Sequence, residues 1–274
     1  DVLARACAAA RVTVRLGVRV SALSDTGEFV VEGQKITPDL TIGADGIRSL
    51  VRGVLNTPDD PLFTGQVAWR AMIKTADVDP VARIWMAPGR HIVTYPLAGG
   101  RLNIVAVQER QMWADEGWHH ADDPGNLRQV FADCHWAVKG ILGEVEKVNL
   151  WGLFRHPVAQ KWHKGPVAIL GDAAHPTLPF LAQGANLAIE DAFVLAQYCN
   201  ENSVLEDGLA LYQSERRPRV VRAIQAANGN ARNYHLSGLQ RRVAHTGLRA
   251  MGKVAPDAFL NRLGWLYDHD VTSS

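Results

Sequence analysis

The stretch Leu170-Gly-Asp-Ala-Ala-His-Pro-Thr-Leu-Pro-Phe-Leu-Ala-Gln-Gly-Ala-Asn-Leu-Ala-Ile-Glu-Asp191 constrains the fold more than any other part of the chain. Just ahead of it, Pro166-Val-Ala-Ile-Leu170 is a short apolar run of the kind that forms a buried strand. Gly171-Asp172 ends that run, so a carboxylate stands at the strand's carboxyl end, where open α/β sheets bind ligands. A loop with Pro176 and Pro179 follows, and Gln183-Gly184 opens a helix expected over about 186 to 198. Gly184 lets the backbone approach a ligand closely. The unpaired N–H groups of the first helical turn favour an electron-rich ligand atom. Strand, acidic turn and helix start together read as a ligand-binding corner, not as packing.

The rest of the chain divides around this corner. Residues 1–10 are Ala-rich and read as a helix. Residues 11–16 and 18–23 alternate apolar and polar on either side of Gly17 and are expected as strands. Short strands are expected at 28–32, 33–36 and 39–43, followed by Gly43-Ala-Asp-Gly-Ile-Arg-Ser-Leu-Val-Arg52 and a short helix over 49–55. The character changes near Thr57-Pro-Asp-Asp-Pro61. Strands then follow one another at 66–73, 83–87, 91–96 and 102–107, with Ala98-Gly99-Gly100 as a hairpin turn. This is an antiparallel sheet forming its own layer. A helix is expected over 126–138 and a strand over 148–154. From 205 onward Leu209, Tyr212, Val220 and Ile224 recur near helical spacing, with Pro218 expected to kink or bound a helix. The fold class is α/β with an α+β insert. The expected units are 1–58 and 156–200 as two parts of one domain, 59–155 as an inserted antiparallel-sheet domain, and 201–274 as a helical tail.

Composition excludes several classes. Of 274 residues, 47% are apolar and 21% charged, and the net charge of +1 points to no nucleic-acid or anionic-membrane partner. No apolar run approaches the roughly 18 residues of a membrane helix. Cys7, Cys134 and Cys199 are scattered and odd in number, which suits a reducing cytoplasm better than a disulfide frame. Eight Trp, mostly in the middle segment, suit a core or an aromatic-lined pocket. His119-His120, near Asp115, Glu116 and Asp122, lacks a second cluster at metal-site spacing, so no metal is expected.

The corner at 170–191, paired with Gly43–Arg52 upstream, resembles the FAD-dependent aromatic-ring monooxygenases related to salicylate, hydroxybenzoate and hydroxynicotinate hydroxylases. The order and separation of the two segments are similar, and the resemblance runs to Trp265-Leu-Tyr-Asp-His-Asp270. It implies an FAD-binding domain of the hydroxybenzoate hydroxylase type. It also implies an enzyme that uses FAD, NADH or NADPH, and molecular oxygen to hydroxylate a small aromatic acid or phenol through a flavin hydroperoxide. The family's opening strand, Gly-x-Gly-x-x-Gly turn and helix have no counterpart here. The resemblance therefore implies about a hundred residues ahead of Asp1, of which a βαβ unit alone takes roughly 30. A homodimer, or a separate N-terminal segment completing the fold, are the assemblies this leaves open. The alternatives in function are a fragment or half of a split flavoprotein without activity of its own, and an epoxidase or biosynthetic hydroxylase of the same architecture.

The resemblance also assigns residues. Asp172 suits a ribityl or ribose hydroxyl, which a carboxylate accepts strongly, although a turn cap is the alternative. Gly184, Ala185 and Asn186 offer N–H groups suited to the flavin pyrimidine oxygen and the charge of reduced flavin. Pro179 matches a position whose backbone carbonyl lies near flavin and substrate. Asp45 holds the position implied to contact both FAD and the nicotinamide, with Arg52 as an anion contact or a plain helix charge. Glu190 and Asp191 are expected to compensate the helix dipole, and His175 to be structural. His91 and Tyr95 lie two strand periods apart and so share a face. Their His-x-x-x-Tyr spacing resembles salicylate- and hydroxynicotinate-type members, in which the histidine is placed as the base that deprotonates the substrate phenol; histidine suits that role near neutral pH.

Overall fold

A computed structural model describes residues 2–75, 79–110 and 120–273. The chain begins with α1 (Val2–Ala9), then β1 (Val20–Leu23), β2 (Phe29–Val31) and β3 (Gln34–Ile36), which form a three-stranded antiparallel ribbon. The β2–β3 turn is Glu32-Gly33, both at positive φ (51° and 80°), the backbone a two-residue hairpin requires. The alternating run 11–16 is not a strand: Arg11 turns at φ 58°, and Val12, Val14 and Leu16 are exposed. Alternation makes a strand only where an edge pairs with it, and among the described residues none does.

Next come β4 (Thr41–Gly43) and α2 (Leu50–Leu55), which Ser49 caps by accepting from Arg52 N. The long sheet follows, with β5 (Leu62–Lys74), β6 (Arg83–Ala87), β7 (Arg90–Leu97), β8 (Arg101–Glu109), β9 (Ala121–Asp122) and, after two helices, β10 (Val148–Arg155). Its order is β6-β7-β8-β5-β10-β9, antiparallel throughout. Gly99 and Gly100, at φ 78° and 61°, make the β7–β8 turn as expected. The two helices are α3 (Pro124–Val130) and α4 (Trp136–Gly143), not the single helix expected over 126–138. The break at 131–135 is held by His135, whose ring accepts from Ala137 N at 3.3 Å and starts α4 afresh.

The sheet has two apolar faces. Val67, Trp69, Ala71 and Ile104 pack with Leu127, Phe131, Val138 and Leu142 of α3 and α4. The remaining elements are β11 (His163–Lys164), β12 (Val167–Ile169), α5 (Gly184–Glu201), α6 (Leu205–Tyr234), α7 (Gly238–Val254) and α8 (Pro256–Tyr267). Ala68, Val107, Trp151 and Leu153 join a second core with residues of β12, α5, α6 and α8. Pro218 does not bound a helix. α6 runs through it for 30 residues, because Tyr212, Arg216 and Val220 on either side are fully buried and packing outweighs the lost backbone bond.

The step that positions the site is the parallel pairing of β12 with β4, in the sheet order β11-β12-β4. It sets Ile169 opposite Gly43, and Leu170 N donates to Gly43 O at 3.0 Å. Two segments more than a hundred residues apart therefore end at the same sheet edge. Gly43 has no room for a side chain, since a Cβ there would lie 2.4 Å from Val51 of α2. None of the described helices is long and apolar enough to cross a membrane.

Candidate active site

At the end of β12 the chain makes a single 3₁₀ turn over Gly171–Ala173, entered by Gly171 at φ 58°. A Cβ at Gly171 would sit 3.1 Å from Ala188 of α5, so turn and helix are tightly apposed. The anchor behind them is Asp191, fully buried on α5. It accepts from Gly171 N at 3.0 Å, from His175 Nε2, and from Arg216 Nε at 2.9 Å. Burial works against the Asp191 charge, but His175, Arg216 and the Gly171 amide outweigh it and hold the carboxyl below its usual range. Glu190 joins the same cluster, pairing with Arg216 at 2.7 Å and with Nε and Nη2 of Arg219 at 2.8 and 2.9 Å. The dipole-compensating role expected for Glu190 and Asp191 is thus corrected. They are the seventh and eighth residues of α5, beyond its first turn, and they bind the corner to α6. His175 is structural, as expected.

In front of the corner lies a cleft of about 1530 Å³. One wall is Asp172, Pro179, Gly184 and Ala185, with Ala44, Gly46 and Ile47 from the upstream segment. The opposite wall is the sheet, where His91, Val93 and Tyr95 of β7 all face the cleft, as the strand period requires. Asp172 is open to the cleft but crowded at its sides, and this desolvation raises its carboxyl despite the opposing pull of His175. The start of α5 is open as well: no side chain caps it, and Leu187 N is the first amide bonded back to Gln183 O. A Cβ at Gly184 would meet Thr177 Oγ1 at 2.8 Å.

The expected residues are not all used in the same way. The Asp45 carboxylate accepts from Leu50 N and Val51 N at 2.8 and 3.4 Å, capping α2, and it is its neighbours Ala44, Gly46 and Ile47 that line the cleft. Arg52 is buried behind the corner. Its guanidinium donates to the carbonyls of Ala173, Ala174 and Pro157 and lies 3.7 Å from Asp59. Asn186 is exposed in the first turn of α5 and lies off the cleft lining. His119, Asp115 and Glu116 lie outside the described residues, and among the described residues no group of potential ligands could hold a metal ion.

His91 has partners that no local sequence pattern announces. Its ring is 1% exposed and packed between Phe180 and Tyr234, with centroids 5.5 and 5.2 Å away. Its Nδ1 lies 2.7 Å from Nε2 of His235, at the end of α6, and His235 Nδ1 lies 2.8 Å from Glu109 Oε1 at the end of β8. Burial first, and the neighbouring His235 second, lower the His91 pKa from 6.5 to about 3.

An acidic strand end and an uncapped helix start thus face a cleft roofed by an antiparallel sheet. The chain belongs to the family described as FAD binding domain, which matches residues 6–227, and within it to the FAD-dependent aromatic-ring monooxygenases. It is 34% identical over 212 residues to a 3-amino-4-hydroxybenzoate 2-monooxygenase of Streptomyces cremeus, covering 75% of this chain and 52% of that one. To a 3-hydroxybenzoate 6-hydroxylase of Klebsiella oxytoca it is 33% identical over 256 residues, covering 89% and 62%. The chain thus spans half to three fifths of the length of these curated relatives. Among solved structures, a salicylate hydroxylase substrate complex superposes with TM-score 0.77 at 26% identity, covering 94% of this chain and 69% of that one.

Proposed function

We propose that this chain carries the flavin-facing and substrate-facing walls of an FAD-dependent hydroxylase of small aromatic acids or phenols, with molecular oxygen as co-substrate and NADH or NADPH as electron donor. The observation that carries this reading is the single cleft with Asp172 and the open start of α5 on one wall and His91 and Tyr95 on the other. On this reading 1–58 and 156–200 form the cofactor wall, 59–155 the substrate wall and 201–274 a helical brace. A reducing, nicotinamide-supplied cytoplasm suits such a protein.

The residues present fit the flavin half of FAD. The Asp172 carboxylate is an acceptor for a ribityl or ribose hydroxyl, and its raised pKa marks a charge short of partners. The amides of Gly184 and Ala185, which line the cleft, suit a pyrimidine oxygen, and Pro179 shapes the intervening loop. Asp45 and Arg52 contribute indirectly, by fixing α2 and the corner's carbonyls. When bound, the flavin supplies the redox and oxygen-activating chemistry. The chain's own part is to bind the aromatic ring against β7, exclude water with Trp151, Phe180 and Tyr234, and take the proton of a ring hydroxyl at His91. Loss of that proton raises the electron density of the ring. Tyr95, four residues from His91 on the same face, orients the ring.

The test combines binding and turnover. The protein supplied with FAD should oxidise NADH or NADPH faster when 3-hydroxybenzoate or salicylate is present and yield a ring-hydroxylated acid by chromatography. Asp172→Ala should lose most of its bound flavin, read from the visible spectrum, while keeping affinity for the aromatic acid. Unchanged flavin content in Asp172→Ala would remove the ribityl assignment. Absence of product across a panel of hydroxybenzoates would remove the substrate class.

A further inference from the structure

His91, His235 and Glu109 form an unbroken hydrogen-bonded line from the cleft to the surface, drawn from three elements. His91 is on β7, His235 closes α6, and Glu109 ends β8. The inner two are buried, whereas the Glu109 side chain is 55% exposed. The β6–β7 turn clamps the outer end, as Gly89 N donates to His235 O at 3.2 Å and Glu109 N donates to Gly89 O at 2.8 Å. The other titratable groups nearby are already engaged. Arg90 pairs with Asp133, Arg241 of α7 donates to Met86 O, and Tyr234, raised by burial and by Tyr267, stays neutral.

The line has a direction. An ionised carboxylate only accepts, so His235 Nδ1 carries the hydrogen donated to Glu109. In the tautomer that leaves His235 Nε2 a lone pair, His91 donates to it from Nδ1. His91 Nε2 is left with a lone pair, in the tautomer a base needs. We infer that His235 and Glu109 are positioning residues for the base. They fix the His91 tautomer and conduct the proton it receives from a bound ring hydroxyl out to the surface carboxylate. The inference rests on the reading of the cleft as a phenol site.

The transfer balances without any redox change. The substrate O–H bond breaks as His91 Nε2–H forms. His91 Nδ1–H passes to His235 Nε2, and His235 Nδ1–H passes to Glu109, which releases it to water. Return of a proton along the same line to the phenolate product restores both tautomers. Such a line matters because burial disfavours a resting imidazolium at His91. The proton crosses the buried ring without charge being stored there.

The probe is 4-hydroxy-3-nitrobenzoate, a phenol coloured on ionisation, mixed with FAD-supplied protein and subjected to a rapid upward pH jump. In the wild type the bound dye should ionise in one fast phase. In Glu109→Gln, whose side chain is exposed and tolerant of substitution, ionisation should slow by roughly 10²-fold, with dye affinity and flavin content unchanged. Added imidazole buffer should restore the rate by taking the proton in place of the carboxylate, an effect no purely structural role would show. His235→Asn should be equally slow and resist rescue by buffer. If Glu109→Gln and His235→Asn bind the dye and ionise it at the wild-type rate, the relay is wrong and the phenol site stands. If the wild-type protein fails to bind or ionise the dye, the phenol site itself is wrong and the relay falls with it.

Discussion

At the scale of single residues, the protein uses carboxylates in three distinct ways, and environment decides which. Asp45 accepts the first amides of α2 at a single oxygen, Oδ2. Asp191 is saturated by one amide, one imidazole and one guanidinium. Asp172, beside the same corner, is raised by its surroundings and faces the cleft. A sequence shows three aspartates; only Asp172 lines the cleft. His91 is a further case. Histidine looks like a base poised near neutral pH, but here burial lowers it to about 3, so its value lies in a fixed tautomer, not a poised charge. His91→Asn should keep its flavin, since the residue belongs to the sheet wall. It should still consume NADH or NADPH in the presence of an aromatic acid, while product falls by roughly 10²–10⁴-fold and hydrogen peroxide appears instead. The ratio of product to nicotinamide oxidised measures this. Full coupling in the variant would mean that the base lies elsewhere.

At the scale of elements, α5 joins cofactor wall and scaffold. Its open end faces the cleft, and its second turn carries Glu190 and Asp191 into the pair of arginines on α6. Arg219 extends the tie to α8 by donating to the carbonyls of Trp265 and Leu266 at 2.9 and 3.1 Å. Breaking a buried pair on one side leaves the partner charge uncompensated, which costs about 3–5 kcal/mol. Asp191→Asn keeps the shape and removes the charge that His175 and Arg216 answer. It should lower the unfolding free energy by an amount of that order, read from a lower urea midpoint, and also loosen flavin retention, since Gly171 loses its anchor. Equilibrium unfolding alongside flavin absorbance separates the two effects, and a midpoint equal to the wild type would show that the cluster contributes no net stability. The helices themselves were partly legible. The start of α6 follows from apolar spacing and the start of α5 from Gln183-Gly184, whereas the α3–α4 break and the continuity of α6 through Pro218 follow from caps and packing that spacing does not encode.

At the scale of the whole molecule, buried titratable groups couple stability to pH. The folded pKa of His91 lies below its ordinary value of 6.5. Between about 6.5 and 3 the unfolded chain therefore binds a proton that the folded chain refuses, and stability falls as pH falls through that window. Asp191 acts with the same sign lower down. Its contribution is complete above the usual carboxylate value of 3.8 and is lost as pH drops toward its depressed folded value. The urea midpoint should decline steadily from pH 6.5 to pH 4, and His91→Asn should flatten that decline; an equally steep slope in the variant would place the dependence on other groups. The sequence by itself determined the layer plan, the corner at 170–191, the hairpin at 98–100, and the shared face of His91 and Tyr95. All of these rest on short-range periodicity and on glycines whose backbone has few alternatives. Only the tertiary structure decided that residues 11–16 remain unpaired, that Arg52 serves the backbone, that Asp191 is a buried hub, and that His91 meets His235 from 144 positions away. Those outcomes depend on which surfaces meet when β4 pairs with β12 and α6 packs against α5, and contacts of that range leave no periodic trace in the chain.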